Sequence, residues 1–227
     1  MTEKRPVSVK GLVFDMDGLL LDSERLVKRS WDHVGNLLGY KEFGNHIYNT
    51  VGFNLKRRTE YFRTHVDPDF PMDFFADATR KKYHQIAESE GVDVKPGARE
   101  LLEWAKNQGY RLGLATSSRK IHAEQSLKRA GLYGFFHGMV FGDTVNEGKP
   151  SPEIYLKACR AIDTEPRYAV ALEDAPSGVV SASAAGMRVI VVPDLVEPPE
   201  ELYDRIWYRL DSLKEVISIL ENLSLSR

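Results

Sequence analysis

The stretch Val9-Lys10-Gly11-Leu12-Val13-Phe14-Asp15-Met16-Asp17-Gly18 decides how the rest of the chain is read. An apolar run breaks off into two carboxylates separated by one residue, then a glycine. A run as short as Val9 to Phe14 fits a buried strand better than a helix. Similar runs recur at Tyr110–Ala115, Met139–Phe141, Tyr168–Leu172 and Arg188–Val192, with a weaker one at Ile206–Leu210. Helical patterns lie between the later runs. Ala98, Leu101, Leu102 and Ala105 fall at i, i+3, i+4 and i+7, opened by Pro96-Gly97 and closed by Gly109. Ser151-Pro152 reads as an N-cap followed by a helix-starting proline, and Ser212 with Glu215 as a capping box. Strands alternating with helices imply right-handed crossovers. The expected fold class is therefore α/β, with a parallel sheet covered on both faces.

One region breaks the alternation. From Leu20 to Gly91 there is no convincing strand pair, and the apolar spacing is helical: Val27, Trp31, Val34 and Leu38 in one stripe, a weaker helix over Leu55–Thr64, and a long one over Met72–Glu90. This block reads as an insertion after the first strand, joined near Leu21-Asp22 and Gly91–Lys95, where a body held by two short connections can hinge. The expected division is a core of residues 1–20 plus 92–227 and an inserted body of residues 21–91.

The 227 residues hold 31 Lys plus Arg against 33 Asp plus Glu, a net charge of −2, with 42% apolar residues. That composition excludes a disordered chain and offers no global attraction to nucleic acid or anionic lipid, so an anionic ligand must be gathered locally. The single cysteine, Cys159, cannot form an internal disulfide, which fits a reducing, cytoplasmic setting. Met1 to Pro6 lead into an apolar run that Asp15 and Asp17 interrupt, so neither a secretion signal nor a membrane span is expected.

Ligands in open α/β sheets bind beyond the carboxyl ends of the strands. The residues following the apolar runs form a set: Asp15 and Asp17 after the first, Thr116-Ser117-Ser118 after the second, Glu173-Asp174 after the fourth, and Lys149 just before a helix. Carboxylates converging on one edge raise one another's pKa unless a cation neutralises them, and hard oxygen donors of this kind suit Mg²⁺. Blander readings exist for each. Asp-x-Asp-Gly is a common turn; its glycine is at the fourth position, not the sixth that an EF-hand needs. Gly142 to Lys149 misses a P-loop in its spacing and in having Pro150 after the lysine. Thr116-Ser117-Ser118 also reads as an N-cap for the following helix. Lys149 reads as a solvated strand-end lysine that contributes little to the core.

Taken together, Phe14-Asp15-Met16-Asp17-Gly18-Leu19, Leu114-Ala115-Thr116-Ser117, Gly148-Lys149-Pro150-Ser151-Pro152 and Leu172-Glu173-Asp174-Ala175-Pro176-Ser177-Gly178 resemble, in type and order, the four signature motifs of the haloacid dehalogenase superfamily of phosphohydrolases. The branch most resembled is that of the β-phosphoglucomutase-like sugar-phosphate phosphatases. The resemblance implies a Rossmann-like parallel-sheet core with an inserted α-helical cap domain. It implies a phosphatase in which Asp15 is the nucleophile and Asp17 the general acid and base. Thr116, the Ser117 N–H and Lys149 would bind the phosphate, and Mg²⁺ would be held by Asp15, the Asp17 carbonyl and Asp174 with support from Glu173.

Asp17 speaks against halide displacement, which in this superfamily does without the second aspartate. Mutases of this type carry a histidine in the first cap helix at a position that falls on Val27, which reads as packing; water should then be the acceptor, with a phosphosugar mutase as the alternative. The expected partner is a small phosphorylated metabolite, and the expected assembly a monomer or weak homodimer. Within the insertion, which should supply the leaving-group pocket, the basic run after Gly52 (Asn54-Leu55-Lys56-Arg57-Arg58) offers cations on the hinge side, but such a run on a helix is more often a solvated face. His33, His46, His65 and His84 lack metal-ligand spacing, and Trp31, Trp104 and Trp207 read as packing.

Overall fold

The computed structural model describes residues 8–50 and 55–225, the last two without their side chains; Met1 to Pro6, Gly52 and Asn54 lie outside the described residues. Strands β1 (Gly11–Phe14), β2 (Arg111–Thr116), β3 (Gly138–Phe141), β4 (Ala169–Glu173), β5 (Arg188–Val191) and β6 (Tyr208–Arg209) form one parallel sheet in the order β3-β2-β1-β4-β5-β6. Helices α1 (Glu24–Leu37), α2 (Ile47–Thr50), α3 (Leu55–His65) and α4 (Met72–Glu90) fall between β1 and β2, followed by α5 (Ala98–Asn107). Helices α6 (Lys120–Arg129), α7 (Glu153–Ala161), α8 (Pro176–Ala184) and α9 (Leu213–Leu225) follow later strands. The expected α/β class is the one found.

β1 is wholly buried and alternates its side chains between two cores. Val13 joins Ala115, Ala171 and Val189 in a cluster with Ile154, Tyr155 and Ala158 of α7 and Val179 and Ala182 of α8. Leu12 and Phe14 point to the opposite face. Burial on both faces explains why the strands read as continuous apolar runs rather than alternating ones.

The caps differ in detail from the expectation. α7 starts one residue late, with Pro152 at the N-cap and the Ser151 hydroxyl accepting the Glu153 N–H at 3.4 Å. At α9 the Ser212 hydroxyl accepts the Lys214 N–H at 3.2 Å, but the Glu215 carboxylate takes the Asp211 N–H at 3.0 Å, so the box closes one residue upstream. Thr116-Ser117-Ser118 does not cap α6. That helix begins at Lys120, whose N–H donates to Asp143 Oδ1 at 3.0 Å, which leaves the hydroxyls free for other work.

The chain forms two compact units, one running to Leu21 and resuming at Val94, the other Asp22–Asp93. Among its described residues the second contains helices and no strand, and an aromatic cluster holds it together. Phe43 stacks on Phe70 at 5.3 Å, and Trp31 meets Phe62 and Phe75 edge-on at 5.7 and 5.5 Å. The buried stripe of α1 is Leu26, Ser30, Trp31, Val34 and Gly35, whereas Val27 and Leu38 are only half-buried. The apolar face is rotated towards Leu26, and Val27 sits at its margin. Lys56 and Arg57 are exposed as a solvated face requires, but Arg58 is half-buried with its guanidinium 5.3 Å over the Trp31 ring. Trp31 is thus core, while Trp104 and Trp207 are half-buried against Tyr110 and Tyr208.

Phe43 contacts most of this cluster and is buried. Phe43→Ala is expected to destabilise the helical unit by about 3–5 kcal/mol, measured by urea unfolding followed through tryptophan fluorescence.

Candidate active site

At β1 the strand order reverses, with β2 on one side and β4 on the other. Chain leaving neighbouring strands in opposite directions opens a crevice at their carboxyl ends. Asp15 follows β1, Thr116 ends β2 and Glu173 ends β4, and the Asp15 N–H still donates to the Leu172 carbonyl at 3.0 Å. The sheet therefore delivers these residues to one edge.

Two clusters form there. In the first, Lys149 Nζ lies 2.5 Å from Asp15 Oδ1 and 2.5 Å from Glu173 Oε1. The Tyr155 hydroxyl donates to that same Glu173 oxygen. In the second, the Ser118 hydroxyl donates to Asp17 Oδ2 at 2.7 Å and the Thr116 hydroxyl to the same oxygen at 3.3 Å, while Thr116 Oγ1 accepts the Ser118 N–H at 3.0 Å. Asp15 faces inward and Asp17 faces the serine turn. Ser117 is exposed, and its side chain joins neither cluster.

Lys149 is not the solvated lysine its sequence context suggests: its side chain is 6% exposed. The segment before it is held by α7. Glu153 accepts the Asn146 N–H at 3.0 and 3.1 Å and the Glu147 N–H at 2.9 Å, and pairs with Lys157 at 2.7 Å. The Lys157 hydrogen bond, helped by the two N–H groups, pulls the Glu153 carboxyl down to about 2.

Glu173 packs on the first turn of α8, where partial positive charge favours a carboxylate. Gly178 makes that approach possible, since a Cβ there would lie 1.9 Å from the Glu173 carboxylate. Gly18, at φ +84°, plays the same part for Asp174, whose Oδ2 would lie 2.2 Å from an added Cβ. Beside Gly18, Asp194 accepts Lys95 Nζ at 2.5 Å through Oδ1, whereas its buried Oδ2 has no hydrogen-bond partner among the described residues. The sequence pattern does not mark Tyr155, Lys95 or Asp194 as site residues and assigns Ser118 no role of its own. Ser118 stood in the strand-end run, but nothing in the pattern separated Tyr155 from its apolar helix stripe.

Burial pushes the Asp15 carboxyl up to about 8; the Lys149 charge opposes this, and Glu173 and Asp17 add to it. Lys149 is itself held cationic, with its two carboxylates outweighing its burial. The edge is thus richer in carboxylates than its one buried ammonium offsets. Asp15, Glu173 and Asp174 each present an oxygen, all within 4.8 Å of one another. Clustered hard oxygen donors with surplus negative charge fit a divalent cation of the Mg²⁺ type. The Asp17 carboxylate is not in that group, because it is turned towards Ser118.

Residues 12–192 match the family model for haloacid dehalogenase-like hydrolase, and the chain belongs to that family. Among its relatives, hexitol phosphatase A of Escherichia coli (strain K12) is 30% identical over 96% of this chain and 94% of its own. The phosphorylated carbohydrates phosphatase of Thermotoga maritima is 29% identical over 95% of this chain and 100% of its own. The crystal structure of CbbY from Rhodobacter sphaeroides in complex with phosphate superposes with a TM-score of 0.70 at 31% identity, covering 92% of this chain and 96% of that one. No helix among the described residues is long and apolar enough to cross a membrane.

Removing the buried ammonium leaves two buried carboxylates without a counter-charge. Lys149→Met, measured by urea unfolding in chelator, is expected to lower stability by about 3–5 kcal/mol. Glu153 gives a pH signature. Its folded pKa lies below its ordinary value of 4.5, so its stabilisation is complete above that value and is lost as pH falls through about 2. Hydrogen-exchange protection of the Asn146 and Glu147 amides is expected to fall over that window, and to be absent at neutral pH in Glu153→Ala.

Proposed function

We propose that this chain is a Mg²⁺-dependent phosphatase that hydrolyses a small phosphorylated carbohydrate through an aspartyl-phosphate on Asp15. The observation that carries the reading is the pair of clusters at one sheet edge: a buried Asp15 held against Lys149, and two residues on, Asp17 oriented by two hydroxyls. The relatives that span nearly the whole chain and are named as carbohydrate phosphatases support the substrate class.

In the first step an Asp15 oxygen attacks phosphorus in line as the bond to the leaving oxygen breaks, and Asp17 gives that oxygen its proton. In the second, water gives a proton to Asp17 and attacks the same phosphorus. Phosphate leaves and Asp15 is restored. Carboxylates at i and i+2 can serve these separate roles because their environments differ. Lys149, Thr116 and the Ser117 N–H would meet the equatorial oxygens, where charge is greatest during transfer. Asp15, the Asp17 carbonyl and Asp174 would hold Mg²⁺, with Glu173 in support. When bound, the ion supplies neutralisation of the acidic cluster and an electrostatic clamp on the phosphoryl group. A half-buried valine at position 27 cannot move a proton, so water, not a sugar hydroxyl, is the acceptor. The enzyme would work as a monomer or weak homodimer in the cytoplasm.

Purified protein assayed with Mg²⁺ against a panel of sugar and polyol phosphates is expected to release one free phosphate per substrate consumed; isomerised sugar phosphate without free phosphate would assign a mutase instead. Asp15→Asn is expected to lower kcat by about 10⁴-fold or more, and full activity in that variant would overturn the mechanism. Asp174→Ala is expected to weaken Mg²⁺ binding by at least about tenfold in calorimetric titration.

A further inference from the structure

Tyr155 has no part in the chemistry above, yet its placement is unusual for a core residue. It is fully buried in α7, packed in the apolar cluster beneath the sheet. A phenylalanine would fill the same space without the cost of burying a hydroxyl, so the O–H needs a partner. That partner is Glu173 Oε1, the oxygen that also receives Lys149 Nζ, and the Lys149 ammonium lies 5.1 Å from the Tyr155 ring centre. One side chain therefore engages both the anion and the cation.

The remaining contacts of Glu173 explain why this matters. Among the described residues its second oxygen accepts only the Asp174 N–H, at 3.3 Å, and Gly178 presses against the carboxylate without gripping it. Tyr155 and Lys149 both donate to Glu173 Oε1, Tyr155 as the neutral donor from within the buried α7 stripe. We infer that Tyr155 is a positioning residue, acting through Glu173 to fix the Lys149 ammonium where charge develops on the transferred phosphoryl group. The inference rests on the phosphatase reading and deepens it. Without the hydroxyl, Glu173 can turn, and Lys149 follows it away from Asp15. An ammonium misplaced by a fraction of an ångström still attracts a phosphate dianion but stabilises the transition state less, so the loss falls on kcat more than on KM.

The test is Tyr155→Phe, which keeps the ring and removes one oxygen, assayed on the best substrate of the phosphate panel alongside Glu173→Gln and the double variant. The expected result is a fall in kcat of about tenfold or more with KM within about twofold, and less than about twofold further loss when Tyr155→Phe is added to Glu173→Gln. Thermal unfolding of each variant is followed in parallel. An unchanged kcat overturns the inference, as do multiplicative effects in the double variant or a loss that disappears when the assay is cooled well below the unfolding midpoint. A parent protein that hydrolyses no member of the panel overturns the phosphatase reading and this inference with it; an active parent with an indifferent Tyr155→Phe overturns this inference alone.

Discussion

The Lys149 ammonium, lodged between Asp15 and Glu173 with almost no exposure to water, is the interaction on which the site depends. Burying three charged groups side by side is costly, and their mutual attraction offsets that cost only where geometry is tight and the remaining hydrogen bonds are made. Much of the surrounding structure meets that condition. β1 and β4 run side by side and bring the two carboxylates to the same height. α7 contributes Glu153 from its first turn to hold the approaching loop and Tyr155 from its buried stripe to hold Glu173. One helix thus supplies both the anchor for the loop before Lys149 and a hydroxyl on the carboxylate that Lys149 meets.

The same constraint separates the two aspartates. Asp15 is drawn inward by Lys149 and loses its water; Asp17 meets hydroxyl donors at the end of β2 instead. Neutral donors orient a carboxylate without pairing its charge as an ammonium does, so the two aspartates meet different surroundings. On the phosphatase reading this asymmetry is what lets one strand end supply both a nucleophile and an acid. The freed hydroxyls trace back to a detail of the fold: Asp143 caps α6, so Thr116 and Ser118 do not.

The parallel sheet was legible because strands buried on both faces leave unbroken apolar runs, and the residues that follow such runs mark the ligand edge. The family motifs added an order that no single Asp-x-Asp-Gly turn carries. What stayed hidden depends on direction. Helical periodicity placed Val27 in the stripe of α1, but burial is centred nearer Leu26, a rotation too small for a four-residue pattern to resolve. Lys149 looked solvated because its neighbours Gly148 and Pro150 are loop residues, and only the tertiary fold sinks it between two carboxylates. Tyr155 sits at a core position of an amphipathic helix, where an aromatic is expected for packing alone. Asp194 lies outside every motif, and its ion pair joins it to Lys95, 99 positions away in sequence.

Gly18 and Gly178 show how close the packing of negative charge is. Each stands where a single methyl group would overlap a carboxylate, one at Asp174 and the other at Glu173. Side chains any larger would push these acids apart, and the oxygen donors would then no longer lie within reach of one ion. A net charge of −2 spread over the whole chain gives no hint of this density. The density follows from local geometry: parallel strands set the acids side by side, two glycines let them approach, and one buried lysine compensates part of their repulsion. The Asp15 carboxyl, raised first by its own burial and further by Glu173 and Asp17, marks a site whose charge density a divalent cation would relieve.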